Sequence, residues 1–367
     1  MDSNSVKIKK ETKNKIRVEF ERTSLKERLK AKFVTFTFLQ KVVWYVFRLI
    51  LLIGISYIVL FPFISKLASS FMSPEDFVDV TVRLIPKHPT LDTYKAIFVD
   101  NHYMKIFLNT FLLSSSTALI QMFICCLIGY GLAKFKFRGN KLIFALVVFT
   151  MIVPHQTLQY SMFLEFRYFD IFGIFQFLGG GGITLFGKTF LEGVIDIFPE
   201  TGIWQKFTAD GINLNNSFWP LIILSVSGLA FKNGLYIFLL RQFFRGVPDE
   251  LEESAYIDGS NTLHTFLTII LPLSIPMLIT VFLFAFSWQW TDEFYTTVFF
   301  SNQKVLLMPD LYENIPDSLN TNYAGQNMYE AAIRNTAGIM MIIPLVIVFL
   351  FCQKFLVQGI ERSGITG

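Results

Sequence analysis

Six stretches of this 367-residue chain are apolar for about 20 residues each, long enough to cross a hydrocarbon layer roughly 30 Å thick: residues 42–61, 107–132, 142–163, 218–240, 271–290 and 337–357. No other feature narrows the fold so far, because backbone placed in hydrocarbon must pair its own polar groups, and a helix does so within one segment. Hydrophobic residues make up 53% of the chain and aromatic ones 16%, with a mean hydropathy of +0.49. A soluble α/β nucleotide-binding protein is far less apolar. The expected fold class is an all-α integral membrane protein with six transmembrane helices, and six crossings return both termini to one side.

Basic residues say which side that is. The first 48 residues carry thirteen Lys or Arg against five acids, and the link KFKFRGNK at 134–141 has four basic residues and no acid. Positive residues stay inside, so both segments are expected to be cytoplasmic. Residues 165–217 hold three basic and six acidic residues, and 291–334 hold two and six, as outward loops should. The expected location is the cell membrane, multi-pass, with both termini cytoplasmic. About forty polar residues precede the first apolar run, so that run is expected to remain as an anchor and not to be removed as a signal peptide. Residues 1–41 read as a basic cytoplasmic arm attracted to anionic lipid, and 42–367 as the transmembrane domain. The arm is too short to build a nucleic-acid-binding module. Cys125, Cys126 and Cys352 all lie inside apolar runs, and His88, His102, His155 and His264 are scattered. Neither a disulfide framework, a metal site nor a bound cofactor is expected.

One stretch invites a different reading. Residues 182–189 within LGGGGITLFGKT match the spacing G-x-x-x-x-G-K-T of a phosphate-binding loop, in which Lys188 would reach the outer phosphates and Thr189 would bind magnesium. Such a loop joins a strand to a helix within a parallel sheet. Here it falls in an outward loop of about fifty residues with no room for that sheet. Nucleotide binding by this segment is not expected.

The chemistry lies between the fourth and fifth runs, in a cytoplasmic loop at about 241–271 that reads RQFFRGVPDELEESAYIDGSNTLHTFLTIILP with its closing proline. Pro248 suits a first helical turn, and Asp249, Glu250, Glu252 and Glu253 favour its positive end. Gly259 is a natural stop. A second helix is predicted to begin near Ser260 or Thr262 and run to Pro272, where the next span starts. Ser254, Ala255 and Gly259 are small, which lets another protein approach closely.

The spacing in this loop resembles the EAA signature, E-A-A-x3-G-x9-I-x-L-P, of permease subunits of binding-protein-dependent ABC importers. Glu253-Ser254-Ala255, Gly259 and Ile269-x-Leu271-Pro272 match it, with Ser254 in place of one alanine. The stretches KHPTLDTYKAIF, FLNTFLLSSSTALI and GYGLAKFKFRGNKLIFALVVFTMIVPHQTL, and the ending FLVQGIERSGITG, are similar to the second permease of maltose-type systems, in the carbohydrate-uptake branch. The resemblance covers roughly residues 61–367. It departs at the basic arm and at extra residues, about 173–215, where the family has a short connection. That outer insertion is either a landing surface for the external binding protein or a plain surface loop.

The resemblance implies a transmembrane subunit that performs no bond chemistry. Its partners would be a second homologous permease, a cytoplasmic ABC ATPase dimer, an extracytoplasmic sugar-binding protein and membrane lipid. Glu250, Glu253, Ser254, Ala255, Asp258, Gly259 and Pro272 would form the ATPase-coupling element. ATP closure would then swing the two permeases between inward-open and outward-open states. The rival readings are an ABC permease for a polyamine, phosphonate or other non-sugar solute, and a membrane-embedded enzyme. The enzyme would need acids, histidines or cysteines converging within the spans, which hold almost none.

Candidates for the substrate path are fewer. Lys232 and Asn233 sit within the fourth run, where a charge costs at least about 2.5 kcal/mol on insertion scales. They either line a path, flank a helix interruption at Gly234, or lie closer to water. Trp288, Gln289, Trp290, Asp292, Glu293 and Tyr295, at the outer end of the fifth run, combine aromatic faces with polar groups suited to sugars, but Trp and Tyr also anchor membrane interfaces. Gln156 and Gln159, near Pro154, are path or packing residues.

Overall fold

The computed structural model describes residues 8–11, 15–18, 36–170, 184–185, 188–189, 213–300, 305–319 and 326–364. The chain divides into two compact units, Met1–Lys66 and Leu67–Gly367. In the first, β1 (Ile8–Glu11) pairs antiparallel with β2 (Lys15–Val18), a short ladder in an arm that reads as plain solvated charge. The helix α1 (Phe36–Ser69) then runs eight residues past the expected end of the first apolar run. It is apolar on every side, as a membrane-crossing helix is.

The second unit is built on α3 (Tyr103–Lys134), which follows the short α2 (Asp92–Val99). Small and hydroxylated residues on α3 allow neighbouring helices to come close, and their hydroxyls bond to α3's own carbonyls. Thr110 donates to Ile106 and Thr117 to Leu113, so both are buried without an orphaned group. The next helix, α4 (Asn140–Ile152), stops before Pro154 and is followed, across a tight turn at His155–Leu158, by α5 (Gln159–Arg167). The chain bends by 91° at this point. The third apolar run is therefore not one straight span. Pro154 explains it, since a proline disfavours helix at the residue before it and supplies no N–H.

β3 (Thr184–Leu185) and β4 (Lys188–Thr189) pair antiparallel in the outer insertion. Lys188 and Thr189 lie in a strand, where a phosphate-binding loop would have them open a helix, so the structure agrees with rejecting that motif. The remainder of the insertion at 173–215, up to residue 212, lies outside the described residues.

The fourth apolar run is also broken. α6 (Trp219–Val226) and α7 (Asn233–Arg245) are separate helices joined by residues 227–232. The break precedes Gly234, which sits inside the first turn of α7 and not at the interruption. α8 (Glu250–Ile257) is the first loop helix. The second is not a separate element, because helix runs from Thr262 to Trp290 without a gap, here α9, with one wide turn at Phe266–Ile270. That turn precedes Pro272, whose missing N–H cannot serve the carbonyl four residues back. Two short helices, α10 (Phe294–Phe299) and α11 (Met308–Glu313), lead to the long α12 (Gln326–Gly364).

Among the described residues four helices are long and apolar enough to cross a membrane, or five if the bent pair counts as one. The third and fourth apolar runs are thus each broken, and the six transmembrane helices expected from the sequence compare with four or five candidates among the described residues. The core forms where α3 packs on α7 and α9, and α9 on α12. Two long-range bonds pin α12. Pro344 leaves the carbonyl of Met340 without its helical donor, and the Tyr103 hydroxyl donates to it at 3.0 Å. The Trp290 indole Nε1 donates to the Met341 carbonyl at 3.0 Å.

Candidate functional site

Two places gather the residues singled out above. The first is the loop from α7 to α9. α8 ends in a C-terminal cap that the sequence specifies closely: Ser260 N–H donates to Ala255 O at 2.9 Å and Gly259 N–H to Tyr256 O at 3.1 Å. Gly259 has φ +84°, the left-handed conformation this cap requires and a glycine adopts without strain. Asn261 then caps the start of α9, its side-chain oxygen accepting the His264 N–H at 2.8 Å. Only two residues, Ser260 and Asn261, separate the glycine from a 29-residue rod.

α8 presents two faces. Glu252 and Ala255 turn inward and are buried, whereas Glu250, Glu253, Ser254, Asp258 and Gly259 are exposed. A Cβ added at Gly259 would meet no atom within 4 Å beyond its chain neighbours, among the described residues. Pro272 is exposed on the first part of the same rod. Of the predicted coupling residues, Glu250, Glu253, Ser254, Asp258, Gly259 and Pro272 are exposed, and Ala255 faces the core.

The root of the loop is held by Lys134, which the sequence marks only as one of the basic residues of the 134–141 link. Lys134, with 7% of its side chain exposed, donates to the Val247 carbonyl at 2.7 Å and to Asp249 Oδ1 at 2.6 Å. Its ammonium draws the Asp249 carboxyl below the usual carboxylate range. Arg241 adds a weaker bond to the Leu132 carbonyl at 3.4 Å, with its guanidinium 3.8 Å from the Phe144 ring centre. The links 134–141 and 241–261 thus lie on the same end of the helices, as the charge pattern requires.

The second place is the break in the fourth run. Lys232 caps α7 with φ +67°, uncommon for a residue with a side chain. A cavity of about 460 Å³ opens there, lined by Lys232, Phe231, Leu229, His155, Met151 and Gly234 among others. The Lys232 ammonium lies over two rings, 4.5 Å from the centre of Phe231 and 4.8 Å from that of Trp288. His155 Nδ1 and the Tyr295 hydroxyl share a hydrogen bond of 3.0 Å. Gly234 allows α4 to approach, because a Cβ there would fall 2.7 Å from Thr150 Oγ1 and 2.8 Å from Met151 Cγ.

The other path candidates separate. Asn233 is buried beside α3, its carbonyl 3.8 Å from Cys125 Sγ, and does not line the cavity. Trp290 is fully buried between helices, which assigns it to packing. Gln289 and Asp292 border a small hollow beside Trp288. Asp292 also accepts the Tyr295 N–H at 2.9 Å and, through its carbonyl, the Thr296 hydroxyl at 2.6 Å, which fixes the start of α10. Gln156 and Gln159 edge a separate, open hollow with Thr297. His155 and Phe231 are not marked as site residues by the sequence, whereas Tyr295 belongs to the aromatic and polar cluster at the end of the fifth run. The signals available were Pro154 beside the histidine and the glycine of GLAFK, each a helix breaker.

Residues 126–362, well over half of the chain, match the family described as binding-protein-dependent transport system inner membrane component. The chain belongs to this family. The match includes both sites. Among curated relatives, the Bacillus subtilis permease protein YtcP, named for polygalacturonan/rhamnogalacturonan transport, is 27% identical over 83% of this chain and 92% of its own length. The permease GanQ of the same organism, named for galactooligosaccharides, is 26% identical over 88% and 95%. A solved bacterial ABC transporter involved in import of the acidic polysaccharide alginate contains a chain of the same fold, with a TM-score of 0.60 at 20% identity, covering 86% of this chain and 97% of that one. Members of the family are permeases and not themselves enzymes, and this inner membrane component is a multi-pass membrane protein.

Proposed function

We propose that this chain is one permease half of an ATP-driven importer of a sugar or oligosaccharide. It crosses the membrane six times, with the third and fourth crossings broken, and both termini are cytoplasmic. It pairs with a second, homologous permease, receives cargo from an extracytoplasmic binding protein, and is driven by a cytoplasmic ATPase dimer. The observation that carries the reading is the loop: an exposed helix, α8, capped at Gly259 and joined through two residues to the 29-residue rod α9. A push on α8 is delivered to a helix that enters the core, where α9 packs on α3 and α12. The Lys134 clasp holds the loop's root to α3, so displacement is shared with the bundle and not lost in a slack loop. Carbohydrate as cargo is supported by the relatives named for polygalacturonan/rhamnogalacturonan and for galactooligosaccharides.

Reconstituting the chain with its partner permease, ATPase and binding protein in proteoliposomes tests this. ATP-dependent accumulation of a labelled oligosaccharide is expected, and it should disappear with Glu253→Lys while the complex membrane still contains the permease. Normal accumulation by that variant would refute the coupling role. Accumulation of a polyamine or phosphonate with no carbohydrate taken up would refute the cargo.

A further inference from the structure

The Lys232 ammonium is the feature of the second site that the proposed function leaves unexplained. It is half-buried and lies against two aromatic rings, and among the described residues no carboxylate stands within ion-pair distance of it. Ring faces return only part of what a cation loses on leaving water. The backbone is unfavourable as well, since φ +67° is disfavoured at a residue with a side chain, and Gly228, four residues earlier, meets a similar demand at φ +75° without that penalty. Strain and an unpaired charge at one position mark a site that is completed by something else.

The surroundings define what completes it. The cavity of about 460 Å³ is within the range of small-molecule sites. Its wall is apolar apart from Lys232, His155 and Thr150, and the histidine is already bonded to Tyr295. The positive end of the 13-residue α7 opens at the same point. Phe231 lines the cavity next to the Lys232 ammonium, and an aromatic ring is the kind of surface on which the C–H face of a pyranose packs. A single lysine balances one negative charge. It suits a carboxylate, whereas a phosphate monoester carries about −1.5 to −2 and would bring excess charge into an apolar wall. Asp292, on the adjoining loop, borders the neighbouring hollow that Phe231 and Trp288 also line, and is engaged by the Tyr295 N–H.

We propose that the break in the fourth apolar run is a binding site for a uronic acid unit, with Lys232 as its carboxylate contact and Phe231 as the platform for its ring. This rests on the permease reading and narrows its cargo to acidic carbohydrate. The test is equilibrium binding to the assembled transporter in nanodiscs, without the external binding protein, at low ionic strength. The probes are trigalacturonate, neutral galactotriose and galactose 6-phosphate. Trigalacturonate should bind at least about tenfold more tightly than either other probe, as expected when one charge-assisted hydrogen bond is gained. The preference should vanish in Lys232→Met and in Lys232→Gln and persist in Lys232→Arg. Equal affinities, no binding of trigalacturonate, tighter binding of the phosphate sugar, or a preference surviving in Lys232→Met would each overturn the proposal. Should any of these occur while ATP-driven uptake of a neutral oligosaccharide persists, the permease reading stands and only the acidic-cargo site falls.

Discussion

Gly259 allows backbone and docking roles to be separated by a crossed pair of substitutions. Its φ of +84° means that an alanine adds left-handed strain of about 1–2 kcal/mol, a factor of roughly 5–30 in the local equilibrium. Asparagine tolerates this conformation far better but is larger. Within the isolated chain the position is open, since a Cβ there meets no atom within 4 Å. If the cap alone matters, Gly259→Asn should work better than Gly259→Ala, and Gly259→Leu should resemble alanine. If the open space is filled by an ATPase subunit, the order reverses: alanine retains measurable association, while asparagine and leucine lose it. We expect the second order, read as co-purification of the ATPase and as transport rate, with equal membrane yields of all three variants. Asparagine outperforming alanine in both assays would refute docking at this surface.

Three further outcomes follow from particular contacts. Gly234→Ala places a methyl group 2.7 Å from Thr150 Oγ1 and 3.0 Å from the Val147 carbonyl, so α4 and α7 must separate; overpacking of this kind costs about 1–3 kcal/mol, and an unchanged melting midpoint of the detergent-solubilised protein would contradict the close approach. Trp290→Ala should destabilise by about 3–5 kcal/mol as a fully buried aromatic, whereas Trp290→Phe should cost much less, losing chiefly the bond to Met341; comparable melting losses for both would be inconsistent with a packing role. The Asp249 carboxyl is held low by Lys134, so its contribution is fully present above the unfolded value near 3.9 and declines as pH falls toward the lowered folded value. Protease resistance of the α7–α8 junction should therefore be flat from neutral pH down to about 4 and be reduced at all pH values in Lys134→Met, and a fall already at pH 6 would exclude this clasp as its cause.

Local signals made the α7–α9 loop legible. The acids of the first turn and Gly259 act within a few residues and appear in the roles their chemistry favours, whereas Pro248 stands before the Asp249 cap and outside the helix, and Asn261, which no sequence expectation marked, caps α9. What lay beyond the sequence is long-range or averaged. Nothing near Trp290 indicates that its indole bonds to Met341, 51 residues away, nor that Tyr103 serves a carbonyl freed by Pro344. Aromatic residues at the end of an apolar run look the same whether they anchor an interface, line a path or fill the core.

An interruption of the fourth run at Gly234 is among the sequence expectations, but its extent was hidden for a related reason. Apolar content over twenty residues does not register six residues of turn when those residues, SGLAFK at 227–232, are themselves mostly apolar or small. Yet a break within such a run has a stringent physical requirement. Backbone groups released from helix bonding cannot be left against lipid, and irregular backbone is tolerated only where protein buries it or a cavity receives it. Here both occur: Leu229 N–H donates to the Leu224 carbonyl and Asn233 N–H to the Ala230 carbonyl, while the other side of the turn faces the cavity that holds Lys232. A lysine near the middle of an apolar run is thus a sign of the break itself. The charge requires a place that a continuous lipid-facing helix does not provide, and the turn at 227–232 provides it.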